Sequence, residues 1–160
     1  RRLLREGVVM GAVTTERAPV GGCRVEALGV MRYRPVATRE YLNRHLPDGF
    51  TAEAVAMAPS LAWNRDDALQ DQLVRKVFRK AIRRPVHYTP TAEGFGAAVR
   101  AGLGWGMYPE QLIDTPLAPI TDQHVDVPLY WQCWKLKTPI VSRITHAVQS
   151  AAAGLDGRRN

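Results

Sequence analysis

Cysteine is scarce in this chain of 160 residues. Only Cys23 and Cys133 occur, too few and too far apart to staple a small secreted fold. A cytoplasmic, reducing compartment is what this usage fits. Lysine is scarce too: Lys76, Lys80, Lys135 and Lys137 are the only four among 22 cations. No apolar run reaches the roughly 18 residues of a membrane span, so no membrane partner is expected. Catalytic signatures are missing as well. There is no Gly-x-Ser-x-Gly elbow and no Walker-type lysine loop. The histidines His45, His87, His124 and His146 stand singly, none near a Cys or carboxylate at ligand spacing. The expectation is no metal site, no cofactor and no enzyme, since an α/β enzyme would need a nucleophile–base pair or a metal cluster that is not found here.

What is present is ordinary globular material. The chain is 46% hydrophobic and 23% charged, with mean hydropathy −0.22, a balance that argues against disorder. Its length suits one domain or two small lobes, burying roughly 70% of the unfolded surface without staples. Net charge is +7, which points to nucleic acid, to an acidic membrane surface, or simply to the arginine bias of a GC-rich genome. The densest run, Arg75-Lys76 through Arg79-Lys80 to Arg83-Arg84, falls where a helix should end, and cations favour that place.

Strand and helix alternate along the chain, which predicts an α/β fold with mostly parallel sheets. Arg1 to Glu6 reads as the tail of a helix closed by Gly7, neither a signal nor a transit peptide. Val8 to Val13 reads as a strand buried on both faces. Arg24–Leu28 and Tyr33–Ala37 are two extended stretches. Thr38 caps a helix from Arg39 to Leu46, and Thr51 one reaching Met57. Leu61–Trp63 is a short strand. The next helix carries Asp66 and Asp67 in its first turn, with Leu69, Leu73, Val74 and Val77 as its stripe. Pro85–Tyr88 is a strand, and Thr89-Pro90 opens a helix that buries Phe95, Ala98 and Val99. Trp105–Tyr108, Leu117–Ile120 and Val125–Trp134 are extended. Thr138-Pro139 opens the last helix, with Ile140, Val141, Ile144, Ala147, Val148 and Ala151 as its apolar face, Gly154 as its cap and a frayed end from Leu155 to Asn160. Because the chain opens inside a helix, it reads as a piece of a longer protein.

Gly102-Leu-Gly-Trp-Gly106 suggests a phosphate loop only at first sight. Such a loop follows a strand and opens a helix, whereas this run closes a helix and opens a strand. The strand-to-helix turns are more informative. Asn64–Asp67 and Thr89–Glu93 bring polar groups to helix N-termini, where free N–H groups can hold a carboxylate. Asp66, Asp67 and Glu93 offer negative charge to an ammonium or guanidinium group. Trp63 and Tyr108 stand at strand ends and either line the same cleft or belong to the core. The plainer alternative is that Asp66 and Asp67 only complement the helix dipole and Thr89 only caps.

Thr89-Pro-Thr-Ala-Glu-Gly-Phe, followed by Val99-Arg-Ala-Gly-Leu-Gly-Trp-Gly-Met-Tyr-Pro109, resembles the effector domain of LysR-type transcriptional regulators, with its Ser/Thr-led helix and "V-x-x-G-x-G-x-x-x-x-P". Leu3-Leu-Arg-Glu-Gly-Val-Val-Met-Gly-Ala-Val13 is similar to the family's "L-x-x-G-x-x-D-x-A-I" segment. Met10-Gly11, standing where many members carry Asp-Leu, together with Trp63-Asn-Arg-Asp-Asp67 and Leu129-Tyr-Trp131, resembles the ArgP/LysG (IciA-like) branch, whose members sense lysine or arginine and control basic amino-acid export. The resemblance covers nearly the whole chain.

The resemblance implies a two-lobed, periplasmic-binding-protein-like α/β domain without its winged helix-turn-helix and without the first part of lobe I. Lobe I would comprise residues 1–37 and 129–160, and lobe II residues 38–128. It further implies a basic amino-acid effector (lysine or arginine), DNA bound through a helix-turn-helix outside this chain, and a homodimer or homotetramer. The effector site would draw on Trp63, Asn64, Asp66, Asp67, Thr89, Thr91, Glu93 and Tyr108. The effector carboxylate would lie near Thr89 and Thr91, and its cationic end would face Asp66, Asp67 or Glu93. An amino-acid solute-binding protein without DNA control is the alternative with the same fold.

Overall fold

Four threonines start four helices in the same way. The hydroxyls of Thr38, Thr51, Thr91 and Thr138 each accept the main-chain N–H three residues on, at 3.2, 3.2, 3.1 and 3.3 Å. Each satisfies an N–H that the helix leaves without a partner, worth about 1 kcal/mol. The structure, a computed structural model, describes residues 2–136 and 138–155. The helices are α1 (Arg2–Arg5), α2 (Arg39–His45), α3 (Ala52–Met57), α4 (Leu69–Phe78), α5 (Ala92–Arg100) and α6 (Pro139–Ala151). The strands are β1 (Gly11–Thr14), β2 (Cys23–Thr38), β3 (Ser60–Ala62), β4 (Val86–Tyr88), β5 (Gly106–Pro109), β6 (Leu117–Pro119) and β7 (Val125–Trp134).

The chain divides into two compact units, one made of residues 1–31 and 126–160, the other of residues 32–125. In the first, β1 pairs antiparallel with β7, Gly11 opposite Cys133 and Val13 opposite Trp131. One cluster gathers Leu28, Trp131, Cys133, Val141 and Ala152, and another Leu4, Val20 and Cys23. Buried Gln132 ties down the preceding loop: its amide donates to the carbonyls of Glu16 and Ala18 and its oxygen accepts the Val20 N–H. In the second unit, the latter part of β2 pairs antiparallel with β5 and β6. Beside them, β3 pairs parallel with β4, continued by a bridge from Ser60 to Trp105. Val36, Leu61, Phe95, Ala98, Val99 and Leu117 form its core, each large side chain adding about 1.5–3 kcal/mol by leaving water.

Several expectations are corrected here. The sheets are not mostly parallel: β1 runs antiparallel to β7, β5 and β6 return along β2 in the opposite direction, and β3–β4 is a parallel ladder. The two stretches expected at 24–28 and 33–37 are one strand, β2. The strand expected from Val8 is short and starts at Gly11; Val8 and Val13 are 65% and 51% exposed, since β1 lies at a sheet edge.

Asp66 and Asp67 precede α4 rather than forming its first turn, and Thr89 does not cap α5. The Thr89 N–H donates instead to Ala62 O at 2.9 Å, while Thr91 caps. On α6 the buried positions are Val141 and Thr145, one turn apart, while Ile140 and Ile144 face outward. Thr145 is held in by two donors, Arg24 Nη2 at 3.2 Å and Trp131 Nε1 at 3.0 Å. The C-cap of α6 is Ala152, not Gly154, which ends a short 3-10 turn instead. The frayed end expected beyond Leu155 lies outside the described residues.

Candidate functional site

Between Asn64 and Leu69 the chain spends its polar groups on itself. Asn64 Oδ1 accepts the Asp66 N–H at 2.8 Å. Asp67 reaches both ways, its Oδ2 accepting from Trp63 N at 3.0 Å and its Oδ1 from Leu69 N at 3.2 Å. Short Asn and Asp side chains favour such local bonds over helix, which is why α4 starts late. The result is a carboxylate fixed in position by two backbone donors.

That carboxylate faces a cavity of about 310 Å³ within the second unit. Tyr33 of β2, Trp63, Leu69, Phe95 of α5, Met107 and Tyr108 of β5, and Leu112 make up most of its wall. Among the described residues lining it, Asp67 is the one acid and no cation is present. Burial pushes the Tyr33 phenol above its ordinary range, and the Asp67 carboxylate adds to the rise by disfavouring a second negative charge.

Tyr108 is positioned by two side chains, Phe95 and Arg100. Its ring stacks on Phe95 at 6.3 Å. The Arg100 guanidinium lies 5.9 Å from the ring centre and donates to the hydroxyl at 3.4 Å, while also pairing with Asp114 at 2.6 Å. Phe95 can sit there because position 106 is glycine, where a Cβ would come within 2.6 Å of the Phe95 ring. Gly102 takes a left-handed conformation (φ +72°) after α5 and turns the chain back toward β5.

Of the residues singled out in the sequence, the cavity brings together Trp63, Asp67 and Tyr108. Asn64 and Asp66 are exposed in the turn beside it. Thr91 is occupied as the α5 cap, and Glu93 is exposed in the first turn of that helix. Thr89 Oγ1 is buried with no hydrogen-bond partner. Seven wall residues were not among the sequence candidates: Tyr33, Leu69, Ala92, Phe95, Met107, Pro109 and Leu112. For Tyr33 the available signal is its place in β2 opposite Pro109, the residue after Tyr108. This site is an apolar slot with one anchored negative charge, suited to an extended hydrocarbon chain ending in a cation. Among the described residues no group of three or more His, Cys, Asp or Glu side chains that could hold a metal ion occurs.

The chain is similar to known proteins over nearly all its length. HTH-type transcriptional regulator LysG of Mycobacterium bovis is 68% identical over 159 residues, covering 96% of this chain and 52% of the relative. The structure of the C-terminal domains of a LysR family protein from Agrobacterium tumefaciens superposes with TM-score 0.89 at 36% identity, covering 97% of this chain and 78% of that one. The chain belongs to the LysR family.

Within that family it falls on the ArgP/LysG branch. Lysine export transcriptional regulatory protein LysG of Corynebacterium glutamicum is 42% identical, with 94% of this chain and 53% of the relative covered. Full-length LysG from that organism, solved with bound effector Arg, superposes with TM-score 0.84 at 39% identity over 98% of this chain and 56% of that one. The family and the α/β effector-domain fold expected from the sequence are therefore borne out. This LysR-family chain spans about half the length of the curated relatives it matches, and no family model matches it.

Proposed function

We propose that this chain is the effector-sensing and oligomerisation domain of a transcriptional regulator that responds to lysine or arginine and controls export of that amino acid. The observation that carries the reading is the Asp67 carboxylate, anchored by two main-chain donors at the wall of an otherwise apolar cavity. The methylenes of a basic side chain would lie against Trp63, Phe95 and Tyr108, with the cationic head at Asp67 and Asp66 and Glu93 adding negative potential nearby. The effector's α-carboxylate would be drawn to the start of α5, near Thr89 and Thr91. A charge-assisted hydrogen bond of this kind contributes about 1.5–3 kcal/mol.

The similarity to a LysG solved with bound Arg supports this choice of effector. We read residues 1–37 with 129–160 as lobe I and residues 38–128 as lobe II of the effector domain. Differential affinity for two arrangements of the regulator would shift its population on DNA, and no covalent chemistry is needed. DNA would be held by a helix-turn-helix elsewhere in the full-length protein, which would act in the cytoplasm as a homodimer or homotetramer. No described helix is long and apolar enough to cross a membrane.

A thermal-shift panel with lysine, arginine, histidine and leucine tests the reading. A ligand at a hundred times its Kd adds about 2.7 kcal/mol, a visible rise in Tm. Stabilisation by lysine or arginine and not by leucine is the expected result. An equal shift from leucine would overturn it.

A further inference from the structure

The last turns of α4 and the segment after it carry six cations in ten residues: Arg75, Lys76, Arg79, Lys80, Arg83 and Arg84. Two of them are committed. Arg84 is nearly buried, pairing with Asp71 at 2.9 Å, donating to Ser60 Oγ at 3.0 Å and lying over the Trp105 ring. Lys76 Nζ donates to the His124 carbonyl at 2.7 Å. The other four, Arg75, Arg79, Lys80 and Arg83, are exposed, and among the described residues none of their side chains has an ion-pair partner.

Their placement follows from the backbone. Arg79 adopts a left-handed conformation (φ +58°), which ends the helix and turns residues 80–84 back past it. Arg75 and Arg83 thereby come to line the same cavity of about 310 Å³, together with Arg84 and Asp71. The helix dipole accounts for a cation or two in a last turn, but not for four unpaired ones on both sides of a turn. The unit of residues 32–125 has 12 Lys and Arg against 10 Asp and Glu. Without these six cations the rest of that unit is acidic, so its positive charge is concentrated in one place.

We propose that this surface is a second nucleic-acid contact, gripping the phosphate backbone of duplex DNA without reading its bases. Three of the four free cations are Arg, whose planar fork matches phosphate oxygens in pairs. Relatives on this branch are HTH-type transcriptional regulators, so a chain of this kind works with DNA close at hand, where a weak contact is strengthened by proximity. Neutralising four phosphates gives a slope of about −3.6 in log K against log salt, a loss of roughly 150-fold between 50 and 200 mM.

The test is fluorescence anisotropy of this 160-residue chain on a random-sequence 20-base-pair duplex across that salt range. The chain is compared with the quadruple variant Arg75→Gln, Arg79→Gln, Lys80→Gln and Arg83→Gln. A charge-matched control carries Arg5→Gln, Arg17→Gln, Lys135→Gln and Arg143→Gln, all exposed and all in the other unit. Thermal melting verifies folding, and the double variant Arg75→Gln with Arg83→Gln replaces the quadruple one should that fail to fold. The proposal stands if the quadruple variant loses at least tenfold in affinity at 50 mM salt with a flatter slope, or the double variant about half the slope, while the control changes less than threefold. Equal loss in variant and control overturns it, because net charge alone would then explain binding. Absence of binding at 50 mM salt overturns it as well. Tighter binding to polyglutamate than to DNA overturns it in favour of an acidic protein partner.

Discussion

Asp67 Oδ2 accepts the main-chain N–H of Trp63 at 3.0 Å, which fixes the charge of the candidate site against the backbone of the aromatic residue beside it. A flexible carboxylate would lose rotamer freedom on binding a ligand; this one is ordered beforehand. Asp67→Asn keeps the shape and removes the charge, at the loss of one of the two main-chain bonds, because an amide has a single acceptor oxygen. The expected outcome by isothermal calorimetry is a loss of about 10- to 100-fold for lysine and arginine, corresponding to ~1.5–3 kcal/mol, with little change for neutral amino acids. Equal losses for both classes would remove Asp67 from its assigned role.

Gly106→Ala places a methyl group against the Phe95 ring, which packs on Tyr108. Overpacking of this kind costs about 1–3 kcal/mol. The expectation is a lower midpoint in denaturant together with weaker effector binding, since Phe95 and Tyr108 both line the cavity. Val99→Ala, in the same core but outside the lining, is expected to lower stability without changing affinity.

Gln132 serves three main-chain groups of the loop before β2. Gln132→Leu leaves them without that partner, at about 1–3 kcal/mol for each group that stays buried. Faster hydrogen exchange at the Val20 amide and earlier proteolysis between Glu16 and Val20 are expected, while the 32–125 unit keeps its protection.

Two tyrosines make stability fall in alkali. Burial raises Tyr33, with Asp67 adding, and burial raises Tyr41 further, its hydroxyl donating to the Pro59 carbonyl at 2.6 Å. Both phenols stay protonated in the folded chain at pH values where the unfolded chain, titrating near 10.0, has lost the proton. Their contribution is therefore fully present below that value and is lost as pH rises through the folded value, by about 1.4 kcal/mol per pH unit for each group. Denaturation midpoints measured from pH 8 to 11 should decline beyond 10, and Tyr41→Phe should flatten the decline.

Much of the fold is legible in the residues because helix starts are local. Thr38, Thr51 and Thr138 can be read as caps from the few residues that follow them, and Gly7 and Gly102 as stops. Thr89 misleads because Pro90 imitates a first helical residue, and what decides against it is a bond to Ala62, a residue 27 positions away. Asp66 and Asp67 mislead for a different reason: the dipole argument places acids in a first turn, but a side chain this short finds a nearer donor outside it. On α6, Ile140 and Ile144 have the right period and the wrong phase, since Trp131 and Arg24 hold Thr145 in. The site divides along the same line. Trp63, Asp67 and Tyr108 carry chemistry that draws the eye, whereas Tyr33, Met107 and Leu112 join them only through the pairing of β2 with β5 and the turn that follows β5.

The unit of residues 32–125 is a single uninterrupted stretch of sequence, and all of the cavity's lining lies within it. The other unit is assembled from two separate pieces. Recombination can therefore move the candidate site between related chains as one cassette, with two junctions and no loss of lining. A swap of residues 32–125 between two such proteins should carry ligand preference with it, and the rest of each parent would keep its own role.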